Sequence, residues 1–459
     1  MANKLKVLSA VAAASVLTLS LAACGKDNSN DTNNAASPSA TTPAASSPAA
    51  NGGEVNNGEK VTITVQNIYV DETTPTAKGL KQVVEAYTKE HPNVTVELDT
   101  LNTDQQKQKL KTQAAAKTIP DITMVNPAAQ MQPFVEAGLF APLNDILDKD
   151  GLKDTYQSGL LDYYSFNGNV YALPDGNNIE VVYYNKDLFS QAGISAPPTT
   201  FDELIEDVKK LKDKGITPIA IGEKDTWTGS FLFMNILLRT NGGPGFLQDV
   251  LAGKKTFEDP AFVEAVDAFQ KLVEAGAFPE GATSIDANAG ANLFKSGKAA
   301  MFIIGSWETG AIDGSTVGQA GHAAAFQFPT VNGKGDPNQF MLAPGTAFAV
   351  SANSKHLDVA KDFLHYLTSN WPSIQFDLKN AVGQPQLMKG DLKSAGYSDL
   401  AISVLDLFSK VNGGDLAFDN TMKPAIAQVH LTSLQNLFVQ KVDSASVAKE
   451  HQAAYDANK

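Results

Sequence analysis

Hydrophobic and polar positions alternate in short stretches after residue 60, and apolar residues at helical spacing lie between these stretches. The alternation over residues 61–65 and 94–98 predicts two strands. The short apolar run 122–125 predicts a third strand. Apolar spacing over 80–87 and the segment 104–117 predict the intervening helices. Strand and helix alternate repeatedly, which predicts α/β layers with a mainly parallel sheet.

The second half of the chain carries clear helix boundaries. Thr200 and Glu203 form a capping-box pattern before an apolar helical face, and Gly215 ends that helix. Residues 216–221 then read as a strand. Asp259-Pro260 opens another helix, and a further helical face spans residues 354–368. These signals extend the α/β pattern through both halves of the chain.

Length, charge and cysteine content narrow the classes of protein. The chain has 459 residues, which exceeds the size of one core and predicts two domains. Its net charge is −14, so nucleic acid is not expected as a partner, because that binding depends on cations facing phosphates. The single cysteine excludes an intrachain disulfide and a CxxC site. A neutral ligand is compatible with this composition.

The first 60 residues are organised as a targeting segment and a linker. Lys4 and Lys6 precede an apolar run of about 15 residues, shorter than the roughly 20 that span a bilayer, so residues 1–23 read as a signal peptide. The following Leu-Ala-Ala-Cys resembles the lipobox of bacterial lipoproteins, in which the cysteine, here Cys24, is acylated and becomes the new N-terminus. Ordinary cleavage that leaves a free cysteine is the alternative. Residues 24–59, rich in Asn, Ser, Thr, Ala and Pro, predict a lipidated cysteine and a disordered tether.

Motifs that would indicate catalysis or a cofactor are absent from the sequence. It contains no GxSxG, HExxH, GxxxxGK[ST] or GxGxxG pattern, and its six histidines show no metal-ligand spacing. We therefore expect no metal, no cofactor and no enzymatic activity. A pair of carboxylates suited to glycoside hydrolysis stays open, because 50 acids always offer some pair.

Eight sequence blocks occur in an order that resembles a known family. They are Ile119-Pro-Asp-Ile122, Ala137-Gly-Leu-Phe-Ala-Pro-Leu143, Gly168-Asn-Val-Tyr-Ala-Leu-Pro174, Tyr183-Tyr-Asn-Lys-Asp-Leu-Phe189, Pro198-Thr-Thr-Phe-Asp-Glu-Leu204, Phe294-Lys-Ser-Gly-Lys-Ala-Ala-Met301, Gly305-Ser-Trp307 and Pro344-Gly-Thr346. Together they resemble family 1 extracellular solute-binding proteins, the maltose-binding-protein-like receptors of carbohydrate ABC importers. The resemblance covers nearly everything from Val61 onward.

The resemblance implies an α/β fold of two lobes, of the type II-like periplasmic-binding-protein class, with hinge segments and a ligand cleft between the lobes. Lobe 1 is expected at 60–178 with 345–380, and lobe 2 at 179–344 with 381–459. It implies a monomeric lipoprotein that captures a sugar by closure and passes it to a permease with a separate ATPase. The single anchoring cysteine favours an extracytoplasmic position on the outer surface of a Gram-positive cell, although an inner- or outer-membrane lipoprotein of another bacterium has the same signal. A binding protein for another solute and a secreted carbohydrate-active enzyme are the alternatives.

A sugar presents apolar C–H faces and a rim of hydroxyl groups, so its site needs aromatic platforms beside amides and carboxylates. Trp307 follows an apolar strand at Gly305-Ser306, and in the family the tryptophan of this block commonly stacks on sugar. Trp227 lies in a polar loop and is a second candidate. Trp371 is a third, although packing between the lobes is the favoured role there. Tyr69, at the end of the first strand, is a weaker candidate.

Polar candidates lie at strand ends and at the expected crossings between lobes. Asp121 and Asn126 flank the third strand, where open α/β sheets bind ligands, although Asp121 could equally be a structural cap. The others follow the crossings or stand beside Trp307; they are Asp175, Asn177, Asn178, Glu308 and Thr346. An anionic ligand is not favoured, because Arg239 is the only arginine in the chain.

Overall fold

The computed structural model describes residues 59–388 and 390–459. The predicted signal peptide, Cys24 and nearly all of the predicted tether therefore lie outside the described residues. The strands are β1 (Val61–Asn67), β2 (Val94–Thr100), β3 (Ile122–Val125), β4 (Ser165–Phe166), β5 (Asn169–Val170), β6 (Ala172–Pro174), β7 (Asn177–Asn185), β8 (Thr217–Ala220), β9 (Ala299–Gly305), β10 (Ala323–Phe326), β11 (Gln339–Pro344), β12 (Ala347–Val350) and β13 (Gly413–Leu416).

Helices lie between the strands and dominate the C-terminal part. They are α1 (Pro75–Glu90), α2 (Thr103–Ala116), α3 (Gln132–Glu136), α4 (Asn144–Leu147), α5 (Lys186–Gln191), α6 (Phe201–Asp213), α7 (Trp227–Thr240), α8 (Phe246–Leu251), α9 (Pro260–Glu274), α10 (Ala287–Lys295), α11 (Thr309–Asp313), α12 (Thr316–Gln319), α13 (Leu357–Asp377), α14 (Asp399–Ser409), α15 (Phe418–Thr421), α16 (Pro424–Leu437) and α17 (Ser444–Asn458). Short 3-10 turns span Ala128–Gln130, Lys149–Thr155, Leu160–Tyr164, Ala282–Ser284 and Ser306–Glu308.

The first sheet has the strand order β2-β1-β3-β12-β6. β1 pairs in parallel with β2 and β3, whereas β12 is antiparallel to both β3 and β6. The strands and helices predicted for residues 61–125 are all confirmed, and their observed ends lie within three residues of the predicted ends. The one exception is α1, which begins at Pro75, before the apolar spacing that starts at residue 80. Three parallel strands therefore bring their carboxyl ends to the same edge of this sheet.

The second sheet has the strand order β13-β11-β7-β9-β8, and β10 also pairs with β7. β7 runs antiparallel to β9, β10 and β11, so the sheet is mixed rather than mainly parallel as expected. The reason is that β7 enters this sheet directly from the first one, at Asn177, with no helical crossover to set its direction.

Among the described residues, three buried clusters form the core, one with the first sheet and two with the second. The first cluster draws its residues from 61–173 and 347–371. The other two draw theirs from 179–343 and 381–448. One core cluster with the first sheet and two with the second confirm the predicted α/β fold with two lobes, whereas the residue-level lobe boundaries stay a prediction.

Local capping signals explain several element boundaries. The Thr200–Glu203 capping box is formed in full, with Thr200 Oγ1 accepting the Glu203 N–H and Glu203 receiving the Thr200 N–H. α13 extends past the predicted end at residue 368 and carries Pro372 in its interior. α7 begins at Trp227, so this residue opens a helix instead of lying in a loop. Within the described part of the chain, no helix is both long and apolar enough to cross a bilayer.

Candidate functional site

A cavity of about 290 Å³ lies between the two sheets and receives residues from both. The first-sheet side contributes the segments that follow β1 and β3, from Ile68 and from Asn126. The second-sheet side contributes the start of α7 and the turn after β9. The segments that connect the two sheets, near Asp175, Thr346 and Val382, also line it. The cavity thus lies at the carboxyl ends of β1 and β3, where open α/β sheets usually bind ligands.

Three aromatic rings form one wall of this cavity. Trp227 and Phe231 stand one helical turn apart on α7, with ring centroids 5.0 Å apart. Trp307 lies 6.2 Å from Trp227 and 6.0 Å from Phe231, and all three rings line the cavity. The interplanar angles of 51° to 75° match the tilted and edge-to-face arrangements that aromatic pairs prefer. Trp227 and Trp307 therefore meet at one cavity.

The position of the Trp307 ring depends on Gly305. A Cβ atom at residue 305 would overlap Cζ3 of Trp307, because the indole folds back over the last residue of β9. The strand end must therefore be glycine for the ring to take this orientation.

Tyr69, Asp175 and Thr346 form a hydrogen-bonded group on the cavity lining. The Tyr69 hydroxyl donates to Oδ2 of Asp175 at 2.6 Å, and Thr346 Oγ1 donates to the same oxygen at 3.1 Å. Burial raises the pKa of Asp175 to about 6, partly opposed by these two donors. The pKa of Tyr69 is also raised, first by burial and then by the facing carboxylate. Three predicted residues from distant parts of the chain thus come together.

Asn177 and Asn178 separate at the start of β7. Asn178 lines the cavity, and its Oδ1 accepts a hydrogen bond from Ser306 Oγ at 2.9 Å. Asn177 does not line the cavity and instead donates through Nδ2 to Gln157 Oε1 at 2.9 Å. Successive strand residues point to opposite faces, so the structure places the amide of Asn178 on the cavity and the amide of Asn177 away from it, unlike the shared position that the sequence predicts.

Glu308 and Asn126 both line the cavity and both have protein partners. Glu308 lies beside the Trp307 platform with Lys295 Nζ 3.5 Å from its Oε2. Asn126 Nδ2 donates to Oε1 of Gln130 at 2.9 Å. The two residues stand at opposite sides of the cavity, one after β9 and one after β3.

Asp121 does not belong to the cavity. It precedes β3 and so lies at the amino end of that strand, opposite the edge where Asn126 follows it. Its Oδ2 accepts the Thr64 N–H at 2.9 Å and its Oδ1 accepts from Ser354 Oγ at 2.6 Å. Both carboxylate oxygens of Asp121 therefore accept hydrogen bonds from the protein itself. Of the two roles that the sequence left open, ligand contact and structural cap, these contacts support the structural one.

Trp371 is also outside the cavity, and it does not pack between the lobes either. Its side chain is 3% exposed and belongs to the first-sheet core. It follows Phe363 and Leu367 at spacings of four residues on α13, so its ring continues the buried face of that helix. The sequence predicted that Trp371 follows the end of a helix and packs between the lobes. In the structure α13 continues through Pro372, so Trp371 lies within the helix.

Charged groups in the cavity lining are mostly acidic. The acidic residues are Asp71, Asp175, Asp225, Asp286, Glu308 and Asp419, and Lys107 is the basic residue in the lining. Burial raises the pKa of Asp225, and the neighbouring acids raise it further. Arg239 is fully buried away from the cavity and donates to the backbone oxygens of Gln339 and Phe328. In the described part of the chain, no group of three His, Cys, Asp or Glu side chains could hold a metal ion.

A family model described as bacterial extracellular solute-binding protein matches residues 71–370. The chain belongs to this family. Among curated relatives of this solute-binding protein, an uncharacterised ABC transporter extracellular-binding protein of Pyrococcus horikoshii is 28% identical over 244 residues, covering 51% of this chain and 54% of that protein. The multiple sugar-binding protein of Streptococcus mutans is 25% identical over 317 residues, covering 68% of this chain and 72% of that protein. The chain thus spans about half the length of the first of these relatives.

Solved structures match the solute-binding protein over nearly their whole length. A structure from work on xylan utilization by the thermophilic bacterium Caldanaerobius polysaccharolyticus has a TM-score of 0.78 and 32% identity, covering 85% of this chain and 99% of that one. A chitin oligosaccharide binding protein has a TM-score of 0.77 and 29% identity, covering 87% and 98%. These likenesses confirm the resemblance from the sequence blocks.

Several lining residues of the solute-binding protein escaped the sequence reasoning. Phe231 lies in an apolar stretch of the sequence, and its spacing of four from Trp227 is the signal that pairs the two rings once both lie on one helix. Gln130, Asp419 and Asn420 had no local signal, because their contacts join parts of the chain that are 289 and 290 residues apart. Such contacts are decided by the packing of the lobes.

Proposed function

We propose that this chain is the extracytoplasmic substrate-binding lipoprotein of an ABC importer. It captures a sugar or oligosaccharide by closure of its two lobes and delivers it to permease subunits, which work with a separate ATPase. The observation that carries the proposal is the wall formed by Trp227, Phe231 and Trp307, on a cavity shared by both sheets. Family membership supports a binding role without bond cleavage.

The polar lining supports an uncharged polyhydroxylated ligand. We propose that Trp227 and Trp307 stack on the sugar rings. The sugar hydroxyls form hydrogen bonds with the polar side chains of the lining, which are Tyr69, Asn126, Asp175, Asn178, Glu308 and Thr346. A phosphate or carboxylate ligand would meet the acidic lining without the arginine forks that usually bind such groups. The names of the chitin oligosaccharide binding protein and the multiple sugar-binding protein support the same ligand class.

Capture follows from the position of the site between the lobes. Each lobe alone presents a half-site open to water, and a ligand that contacts both halves binds the closed form better than the open form. Such a ligand shifts the equilibrium towards closure only by this difference in affinity. The closed surface is then what the permease distinguishes from the empty protein.

Calorimetry tests the ligand class. Xylotriose, triacetylchitotriose, maltotriose and sn-glycerol 3-phosphate are titrated into the purified protein, and binding of a neutral saccharide but not of the phosphate is expected. For the saccharide that binds, Trp307→Ala should weaken the affinity about tenfold or more, because a buried ring is lost from the contact surface. Trp371→Phe, in the core and away from the cavity, is the matched control and should leave the affinity unchanged.

Two results would contradict the proposal. Binding of the phosphate or of another solute class, with no saccharide bound, would refute the sugar assignment. New reducing ends released from the bound oligosaccharide would show an enzyme in place of a receptor.

The membrane anchor is a separate part of the proposal, and it rests on the Leu-Ala-Ala-Cys24 sequence behind the signal-like segment. We propose removal of residues 1–23, lipidation of Cys24 and display of a monomer on the outer face of a Gram-positive membrane. Cells expressing the full chain are labelled with radioactive palmitate. The label should appear in the wild type and be lost with Cys24→Ser, and equal labelling of both would refute the anchor.

A further inference from the structure

The two sides of the cavity are joined by the side chain of Gln130. Its Nε2 donates to Oδ2 of Asp419 and to Oδ1 of Asn420, each at 2.7 Å. Gln130 is followed by Met131, which is fully buried in the first-sheet core. Asp419 and Asn420 follow Phe418, which is fully buried in a second-sheet core. These two hydrogen bonds therefore connect the two lobes directly across the cavity.

The orientation of the Gln130 amide is set from its own side of the cavity. Asn126 Nδ2 donates to Gln130 Oε1 at 2.9 Å, which leaves the two N–H donors of Nε2 for Asp419 and Asn420. The intervening Ala128 has φ of 52°, a left-handed conformation that is unfavourable for a residue with a Cβ. Backbone strain of this kind persists where the surroundings hold the segment in place. The donor side is thus fixed before any ligand binds.

The acceptor side is also held rigidly. The ring of Phe418 stacks on the buried ring of His430, with centroids 3.7 Å apart and planes 7° apart. Burial lowers the pKa of His430, so this imidazole stays neutral at neutral pH. Asp419 is 7% exposed, and its Oδ1 has no hydrogen-bond partner among the described residues. Lys107, from the first-lobe side, places Nζ 4.0 Å from Oδ2 of Asp419.

We infer that Gln130 is a positioning residue that holds the lobes together without ligand and sets the side chains of Asp419 and Asn420 in the cavity wall. The other oxygen of Asp419, Oδ1, is buried and has no hydrogen-bond partner among the described residues, so the bond from Gln130 is the hydrogen bond that orients this carboxylate. The ligand part of this inference rests on the proposed sugar-binding function. The bond between the lobes does not depend on it.

The inference is tested first on ligand-free protein. Spin labels are attached at the exposed positions Lys89→Cys on α1 and Lys271→Cys on α9, in a Cys24→Ser background, and the distance distribution between them is measured by pulsed electron resonance. The wild type should contain a population at the short, closed distance. Gln130→Ala should reduce this population at least fivefold, since two hydrogen bonds between the lobes are lost, one of them to a charged group. Gln130→Glu should reduce it further, because it opposes two carboxylates.

Control and rescue variants separate positioning from general damage. Gln132→Ala, two residues away, removes only an exposed amide bonded to Glu136 and should keep the wild-type distribution. Gln130→Glu combined with Asp419→Asn exchanges donor and acceptor in the bond between residues 130 and 419, although not in the bond to Asn420. It should recover part of the short-distance population that Gln130→Glu loses, which a variant that merely misfolds would not do. Identical distributions for wild type, Gln130→Ala and Gln130→Glu would overturn the inference.

Calorimetry gives the second readout, with xylotriose and triacetylchitotriose as probes. For whichever of the two sugars binds the wild type, Gln130→Ala should lower the affinity about tenfold, whereas Gln132→Ala should leave the affinity unchanged. Equal affinities for Gln130→Ala and wild type would also overturn the inference. If neither sugar binds the wild type, the sugar-binding proposal loses its support while the spin-label distances still decide the role of Gln130.

Discussion

Asp175 offers the sharpest test of how the site is built, because its carboxylate is held where its charge is unfavourable. Burial raises its pKa from 3.8 to about 6, although Tyr69 and Thr346 both donate to it. Between about pH 4 and pH 6 the folded protein therefore binds more protons at this residue than the unfolded chain. The free energy of unfolding consequently falls as the pH rises through this range, and the loss is complete above about pH 7.

The magnitude follows from the size of the shift. A difference of about two pKa units corresponds to about 3 kcal/mol, an upper limit because the carboxylate borders the cavity. Asp175→Asn removes the charge and keeps the shape and an acceptor oxygen for Tyr69. The variant should therefore be up to about 3 kcal/mol more stable than the wild type at pH 8 and about equal to it at pH 3.5. The same change should weaken binding of the proposed sugar ligand, since a carboxylate acceptor is lost from the lining.

Urea unfolding of wild type and variant between pH 3.5 and pH 8, without ligand, checks this prediction. The difference between the two proteins isolates Asp175 from other buried acids, such as Glu223, whose pKa is raised to about 7 by burial. Asp415→Asn is the matched control, since burial raises the pKa of Asp415 to about 6 on β13, outside the cavity lining. It should show the same pH dependence with unchanged sugar affinity. A stability difference between Asp175→Asn and wild type that is constant from pH 3.5 to pH 8 would refute the reasoning.

Three further predictions concern residues around the site. Gly305→Ala should weaken sugar binding about tenfold while the protein stays folded, because the new methyl group displaces the Trp307 ring; calorimetry that finds unchanged affinity would contradict this. Trp371→Ala should cost about 3 to 5 kcal/mol of stability in urea unfolding and leave the affinity of the folded protein unchanged. Asp121→Ala should lower the free energy of unfolding by about 1 to 3 kcal/mol, because the Thr64 N–H loses its acceptor, and should also leave the affinity unchanged. Loss of binding in Trp371→Ala or Asp121→Ala would place that residue at the ligand.

The α/β layers and the family could be predicted from the sequence because both depend on local information. Alternation and helical spacing indicate which face of an element is buried. These patterns were sufficient to predict the strands β1, β2 and β3 and the helix α2 without knowledge of any contact between them. The capping box at Thr200 and Glu203 is likewise complete within four residues. The ordered blocks from Ile119 to Thr346 are also read along the chain, and they led to the family that the comparisons show.

The membership of the cavity was decided by tertiary structure. Asp121 and Asn126 flank the same strand, yet only the end of β3 that carries Asn126 faces the cavity. Trp371 is as hydrophobic as Trp307, but the ring of Trp371 lies on the core face of a helix. Side-chain type alone does not distinguish these positions, because strand direction and helix face are fixed only when the elements pack.

The sequence by itself determined the layered elements and the family, since both are encoded in neighbouring residues. Only the tertiary structure decided which side chains share the cavity, that Asp175 carries a raised pKa, and that Gln130 meets Asp419 and Asn420 from 289 and 290 residues away. The physical reason is that burial, the electrostatic field at a carboxylate and a hydrogen bond between lobes arise from atoms brought together by packing, and no local pattern encodes that meeting.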